Sequence, residues 1–159
     1  MEFREIVRKK QALDKEECIA ILKKEVRGVL SVNGLEGYPY GMPINHYYDE
    51  ESGCIYFHGG KTGHKIDALK ADERASFCVY DEGYRREGEW ALNIKSVIVF
   101  GHIEFVESIE ETERISRALC YIFTDDEEYI RHEIEKSLKG TLCFRLIPDH
   151  ISGKIVNEA

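Results

Sequence analysis

Two prolines four residues apart, inside a stretch that otherwise reads as a strand, constrain this chain more than any other feature. Tyr38–Tyr48 is rich in tyrosine but carries Pro39 and Pro43. Proline has no N–H to give to a ladder, so Pro39-Tyr40-Gly41-Met42-Pro43 belongs at a sheet edge, a bulge or a barrel rim. Such a place leaves backbone groups free for a ligand. An irregular edge strand that binds nothing fits the same residues.

The next informative stretch, Ile55–Leu69, begins as a strand and ends as a helix. Ile55, Tyr56 and Phe57 are β-branched or aromatic and follow a turn signal at Glu51-Ser52-Gly53. Ile66, Ala68 and Leu69 suit one face of a short helix that Thr62 is placed to cap. The eight residues between, His58 to Lys65, hold three glycines, two lysines and two histidines. A helix start offers unpartnered N–H groups and positive partial charge, glycines allow close approach, and Lys61 and Lys65 add full charge. These are the parts of an anion site, although no Walker-type pattern is present and a solvated loop has the same composition.

Composition narrows the partner. The net charge of −8 argues against a general nucleic-acid binder, so lysines gathered beside glycines point to one small anion. With 43% hydrophobic residues in 159, the chain is expected to fold as one domain, 1–159. Cys18, Cys54, Cys78, Cys120 and Cys143 are scattered, odd in number and mostly in apolar surroundings, as reduced core thiols would be. With no long apolar segment and no signal-peptide core, a cytoplasmic location is expected.

In chain order, a charged arm (1–12) precedes a helix opened by the capping box of Asp14 and Glu17, with Cys18, Ile19, Leu22 and Val26 on its buried face. Strands are expected at Gly28–Val32, Tyr38–Tyr48, Ile55–Phe57, Arg74–Tyr80 and Ser96–Val106, the last bending at Gly101. Two helices follow, capped at Ser108 with Glu111 and at Thr124 with Glu127, and Gly140–Ile147 closes the chain, with 151–156 able to extend it. The fold class is therefore α+β and mainly β, with antiparallel strands and segregated helices, or a barrel with helices outside.

Three blocks in order carry a family likeness: Pro-Tyr-Gly-Met-Pro-Ile-Asn, then Ile-Tyr-Phe-His-Gly-Gly-Lys-Thr-Gly-His-Lys-Ile-Asp-Ala-Leu, then Lys-Ser-Val-Ile-Val-Phe-Gly-His-Ile-Glu-Phe-Val. Together they resemble the pyridoxamine 5′-phosphate oxidase-like superfamily, and within it the Nim-type nitroimidazole-resistance and related flavin-nucleotide-binding proteins. The resemblance implies a split β-barrel homodimer with FMN at the interface. Tyr40, Gly41, Met42, Pro43 and Asn45 would line the flavin ring and ribityl chain, and His58, Gly59, Lys61, His64 and Lys65 would hold the phosphate and the nearer part of the cofactor. Ser96 and Val97 would come from the neighbouring strand or subunit. It further implies an oxidoreductase passing electrons from a donor such as NAD(P)H to a nitroaromatic or quinone-like acceptor, or else a flavin- or haem-binding carrier or sensor. No arginine-rich substrate-phosphate site appears near the C-terminus, so vitamin B6 oxidation is not carried over. His58 and His64 are the candidates for proton transfer, with cofactor bonding as the simpler role. No metal site is expected, since nothing nearby gives a third ligand.

Overall fold

The proline-bearing stretch forms an outermost strand of a seven-stranded antiparallel sheet in the computed structural model, which describes residues 1–159. The strands are β1 (Arg27–Asn33), β2 (Pro39–Asn45), β3 (Tyr47–Tyr48), β4 (Ile55–Gly60), β5 (Arg74–Tyr80), β6 (Asn93–Phe105) and β7 (Thr141–Asn157). Their order is β2-β1-β5-β6-β7-β4-β3. β2 and β3 thus lie at opposite ends of the order, yet His46 alone separates them in the chain. The sheet must curl until its two ends meet, which makes a barrel with one unpaired seam. β3 pairs only Tyr47 with Tyr56 and Tyr48 with Ile55. Beyond it, the free edge of β4 from Phe57 to Gly60 faces β2 across the seam.

His46 is the corner of this closure. Its ring is 1% exposed, lies edge-on to Phe77 at 4.9 Å, and donates from Nε2 to the Leu22 carbonyl at 2.8 Å. Its Nδ1 is buried without a partner.

Alternation along the strands fills the barrel. Leu30, Val32, Phe57, Phe77, Val79, Val97, Val99 and Phe144 point inward and are almost fully buried. Side chains of this size each contribute about 1.5–3 kcal/mol when buried. Helix α1 (Lys15–Lys24) adds Cys18, Ile21 and Leu22 to that core, and α2 (His64–Ala71) adds Ala68 and Leu69. Outside β4 and β7, α3 (Ile109–Tyr121) buries Ile115 and Leu119 against Cys54, Tyr56 and Cys143. Helix α4 (Glu127–Ser137) packs on α3 and buries Ile130 and Ile134. All five cysteines are unbridged.

Four expectations are corrected: the single strand Tyr38–Tyr48 is split at His46 into β2 and β3, because the sheet closes there, and three others concern helices. The buried face of α1 uses Ile21 where Ile19 was expected, and the helix stops at Lys24, before Val26. The cap of α4 is Asp126, whose side chain accepts from the Tyr129 N–H, while Thr124 accepts only from the Asp126 N–H. α2 is capped by Gly63 and not by Thr62. His150 lies half-buried under Phe3, with the rings stacked at 4.8 Å and 9°. The N-terminal arm is therefore docked across the outer face of β6 and β7.

Other expectations hold. The Asp14–Glu17 capping box is complete, and Ser108 caps α3. The bend at Gly101 is a register shift between Phe100 and Gly101, where a Cβ would run into the Ile147 carbonyl oxygen. β7 continues unbroken through Val156.

Candidate functional site

At the seam, β4 leaves the sheet and turns into α2 through the glycine-rich junction. Gly63 takes φ +130°, a backbone conformation side-chain-bearing residues rarely adopt, and ends the turn as the helix cap. Its carbonyl accepts from the N–H groups of Ile66 and Asp67, which leaves the N–H groups of His64 and Lys65 without a backbone partner. A Cβ on Gly59 would lie 3.0 Å from the Lys65 Nζ, so the ammonium rests directly over a bare stretch of backbone. Neither Lys61 nor Lys65 forms an ion pair, although the chain carries 30 acidic residues. The Lys65 ammonium and the free helix-start donors are the parts of an anion site, and Lys61, two residues before the cap, has no ion-pair partner.

Alternation divides the edge-strand candidates. Met42 faces inward, half-buried against the core. Tyr40, on the same side of β2, stacks on His64 with ring centroids 4.2 Å apart and planes at 14°. Gly41, Pro43 and Asn45 face outward. His58 also faces outward from β4 and shares a cleft of about 520 Å³ with Arg27, Pro43, Ile44 and Asn45. Tyr40, Gly59, His64 and Lys65 thus gather at the helix end of the seam, and Pro43, Asn45 and His58 on its outer side.

Ser96 and Val97 do not join them within one chain. β6 is three strands from β2, roughly 14 Å at ordinary strand spacing. Val97 is fully buried in the barrel core and paired on both sides, whereas Ser96 is half-exposed on the outer face.

The two candidate histidines differ in setting. His58 is exposed on its outer side, yet partial desolvation at the seam, with the nearby Lys65 charge adding to it, lowers its pKa below the ordinary 6.5. A neutral imidazole at neutral pH can donate and accept hydrogen bonds but is a poor proton reservoir. His64, besides stacking on Tyr40, lies 3.3 Å from Glu36 through Nε2. No group of three histidine, cysteine or acidic side chains is placed to hold a metal ion.

Two residues escaped the sequence reading. Glu36 lies in the β1–β2 turn, and only the fold brings it to His64. Arg27 donates from Nε to the Asn45 Oδ1 at 2.8 Å. Its signal was its place at the head of β1, directly opposite Asn45 in the antiparallel register.

The family model described as pyridoxamine 5′-phosphate oxidase matches residues 14–155. No curated protein matches the sequence. Among solved structures, a 5-nitroimidazole antibiotic resistance protein from Bacteroides thetaiotaomicron is 20% identical, with a TM-score of 0.77 over 92% of this chain and 87% of that one. A flavocytochrome from Azotobacter vinelandii is 20% identical, with a TM-score of 0.78 over 95% and 72%. An FAD- and haem-binding protein from Mycobacterium smegmatis is 21% identical, with a TM-score of 0.71 over 94% and 74%. At these identities the likeness carries the fold.

Proposed function

Because this chain belongs to the pyridoxamine 5′-phosphate oxidase family, we propose that it is an FMN-dependent oxidoreductase acting as a homodimer. The observation that carries this reading is the Lys65 ammonium over Gly59 together with the unpartnered His64 and Lys65 N–H groups, with the unpaired Lys61 in the same turn. Its donors are confined to one turn, which suits a single terminal phosphate and so FMN. Relatives described as flavin- or haem-binding support the flavin itself.

When bound, the flavin supplies two-electron transfer between a reduced nicotinamide donor and a small acceptor. The protein's own residues bind, orient and shield. Lys61 and Lys65 neutralise the phosphate, and the Tyr40–His64 stack braces the turn against the edge strand. The proline-broken edge of β2 leaves backbone groups of Tyr40–Asn45 free for the ring and ribityl chain. His58 offers a neutral imidazole to the cofactor or acceptor.

The outer face supports a dimer. Val29, Cys78, Ile98 and Ser152 form one row across β1, β5, β6 and β7, and Ser31, Ser76, Phe100 and His150 form the next. Val29, Ile98 and Phe100 are 38%, 39% and 44% exposed, which is high for apolar strand residues at the middle of a sheet. A second copy would share this face with the N-terminal arm, whose Phe3 lies 6.1 Å from Phe100, and would bring its Ser96 towards the cradle.

Nitroaromatic acceptors, nitroimidazoles among them, and quinone-like acceptors follow by analogy with the resistance protein. The test is reconstitution with FMN followed by mixing with NADPH and then a nitroimidazole. Rapid bleaching and recovery of the flavin spectrum is expected. Stable flavin binding without cycling would favour a carrier or sensor over an enzyme, and absence of flavin binding would refute both.

A further inference from the structure

The outer side of the seam holds a second set of donors that the phosphate turn does not use. Arg27, Pro43, Ile44, Asn45 and His58 line the cleft of about 520 Å³ between β2 and β4. Arg27 and Asn45 are paired across β1 and β2, and the 2.8 Å bond from the Arg27 Nε to the Asn45 Oδ1 fixes the plane of the guanidinium. That bond uses one of five guanidinium protons. The terminal amines meet no carboxylate within ion-pair distance, even though Glu25, Asp81 and Glu82 border the adjoining cleft. Asp81 is engaged elsewhere, accepting from the N–H groups of Gly83 and Lys95. The Asn45 amide N–H₂ also points to no protein acceptor, since its oxygen alone is bonded.

A braced guanidinium with a free fork, a free amide and an imidazole around one cleft are complementary to a planar oxyanion. Arginine recognises carboxylates in this two-pronged way, and lysine does not. The cleft opens on the side of β2 that carries Gly41 and Pro43, while Tyr40 and the phosphate cradle lie at the helix end. The cleft borders the phosphate turn, since the Lys65 charge acts on His58, but its own donors, Arg27 and Asn45, lie on the other side of β2 from Tyr40.

We propose that Arg27, positioned by Asn45 and flanked by His58, forms an acceptor subsite for a carboxylate, so that the favoured acceptors are aromatic nitro or quinone-like acids in place of neutral compounds. This rests on the flavin reading for its place in a reaction, but not for its anion chemistry. Pro43 supplies the apolar wall for the acceptor's ring, with Ile44 at the cleft's floor, and the fork fixes its acid group.

The matched probes are 4-nitrobenzoate and 4-nitrobenzyl alcohol. With the FMN-loaded protein, kcat/KM is expected to favour the acid by about tenfold or more, with the difference in KM, as removal of one bidentate charged contact implies. Arg27→Gln should collapse that preference towards one, and Arg27→Lys should restore only part of it. Calorimetric titration of the protein with 4-nitrobenzoate should show binding that Arg27→Gln abolishes, with or without flavin. Equal use of both probes by the natural protein would overturn the subsite, as would Arg27→Gln lowering FMN affinity, which would assign Arg27 to the cofactor. If flavin never binds but Arg27-dependent nitrobenzoate binding persists, the flavin reading fails and the carboxylate subsite stands.

Discussion

Lys61 and Lys65 matter as a pair because neither has a protein partner to compensate for it. Each charge-assisted phosphate contact is worth roughly 1.5–3 kcal/mol, and about 1.4 kcal/mol is tenfold in affinity. Replacing both by Ala should weaken FMN binding by at least about a hundredfold in a fluorescence titration, with folding stability nearly unchanged because both ammonium groups lack partners. His46 makes a different prediction. Burial holds its pKa below 6.5, against the weaker opposing pull of the Leu22 carbonyl. The unfolded chain therefore binds the proton more readily than the folded one. Stability is full above about pH 6.5, falls as pH drops below that value, and levels off only beneath the lowered folded-state pKa. The limiting slope is about 1.4 kcal/mol per pH unit. His46→Gln keeps a donor for Leu22 and does not titrate, so its urea midpoints should vary less across mildly acidic pH. A residual slope is expected from His58, whose pKa is lowered in the same direction. At this scale the lysines, glycines and histidines of the turn were legible because their chemistry is local. Arg27 and Glu36 were not, because what they touch is set by strand register and by barrel closure.

At the scale of elements, caps and strand parity explain both the successes and the misses. The Asp14–Glu17 box was readable because both partners lie within four residues of each other. Before α4, Thr124 and Asp126 each suit a cap, and only the chain's path decides between them. Asp126→Ala should cost about 1 kcal/mol in thermal or urea unfolding, and Thr124→Ala measurably less. Gly101 should prove far less tolerant. A Cβ there would meet the Ile147 backbone and lie 2.9 Å from the Leu146 Cδ1, and backbone cannot move aside as a side-chain tip can. Gly101→Ala is expected to destabilise by about 2–4 kcal/mol by forcing β6 from β7 at the bulge. Edge placement of β2 was legible from its prolines alone, since proline has the same defect in any sheet.

For the whole molecule, the sequence conveyed a mainly β fold and its strand sequence, but the order β2-β1-β5-β6-β7-β4-β3 follows from long-range pairing that no local pattern encodes. The seam is a consequence of that order, and it is what turns the first two of the three sequence blocks into one site. The outer sheet face follows the same logic, since Val29, Ile98 and Phe100 share it only after pairing. Ile98→Lys places a charge at the middle of that face. It is expected to yield monomers by sedimentation and, with them, weaker flavin binding; an Ile98→Lys protein that stays dimeric would place the interface elsewhere. At the centre of the proposed function, the Gly59–Lys65 turn holds the terminal phosphate of a flavin. Titrating the purified protein with FMN and with riboflavin, which lacks only that phosphate, addresses it most directly. FMN should bind at least about a hundredfold more tightly, on the strength of charged phosphate contacts. Equal affinity for the two, or no flavin binding at all, would contradict the account.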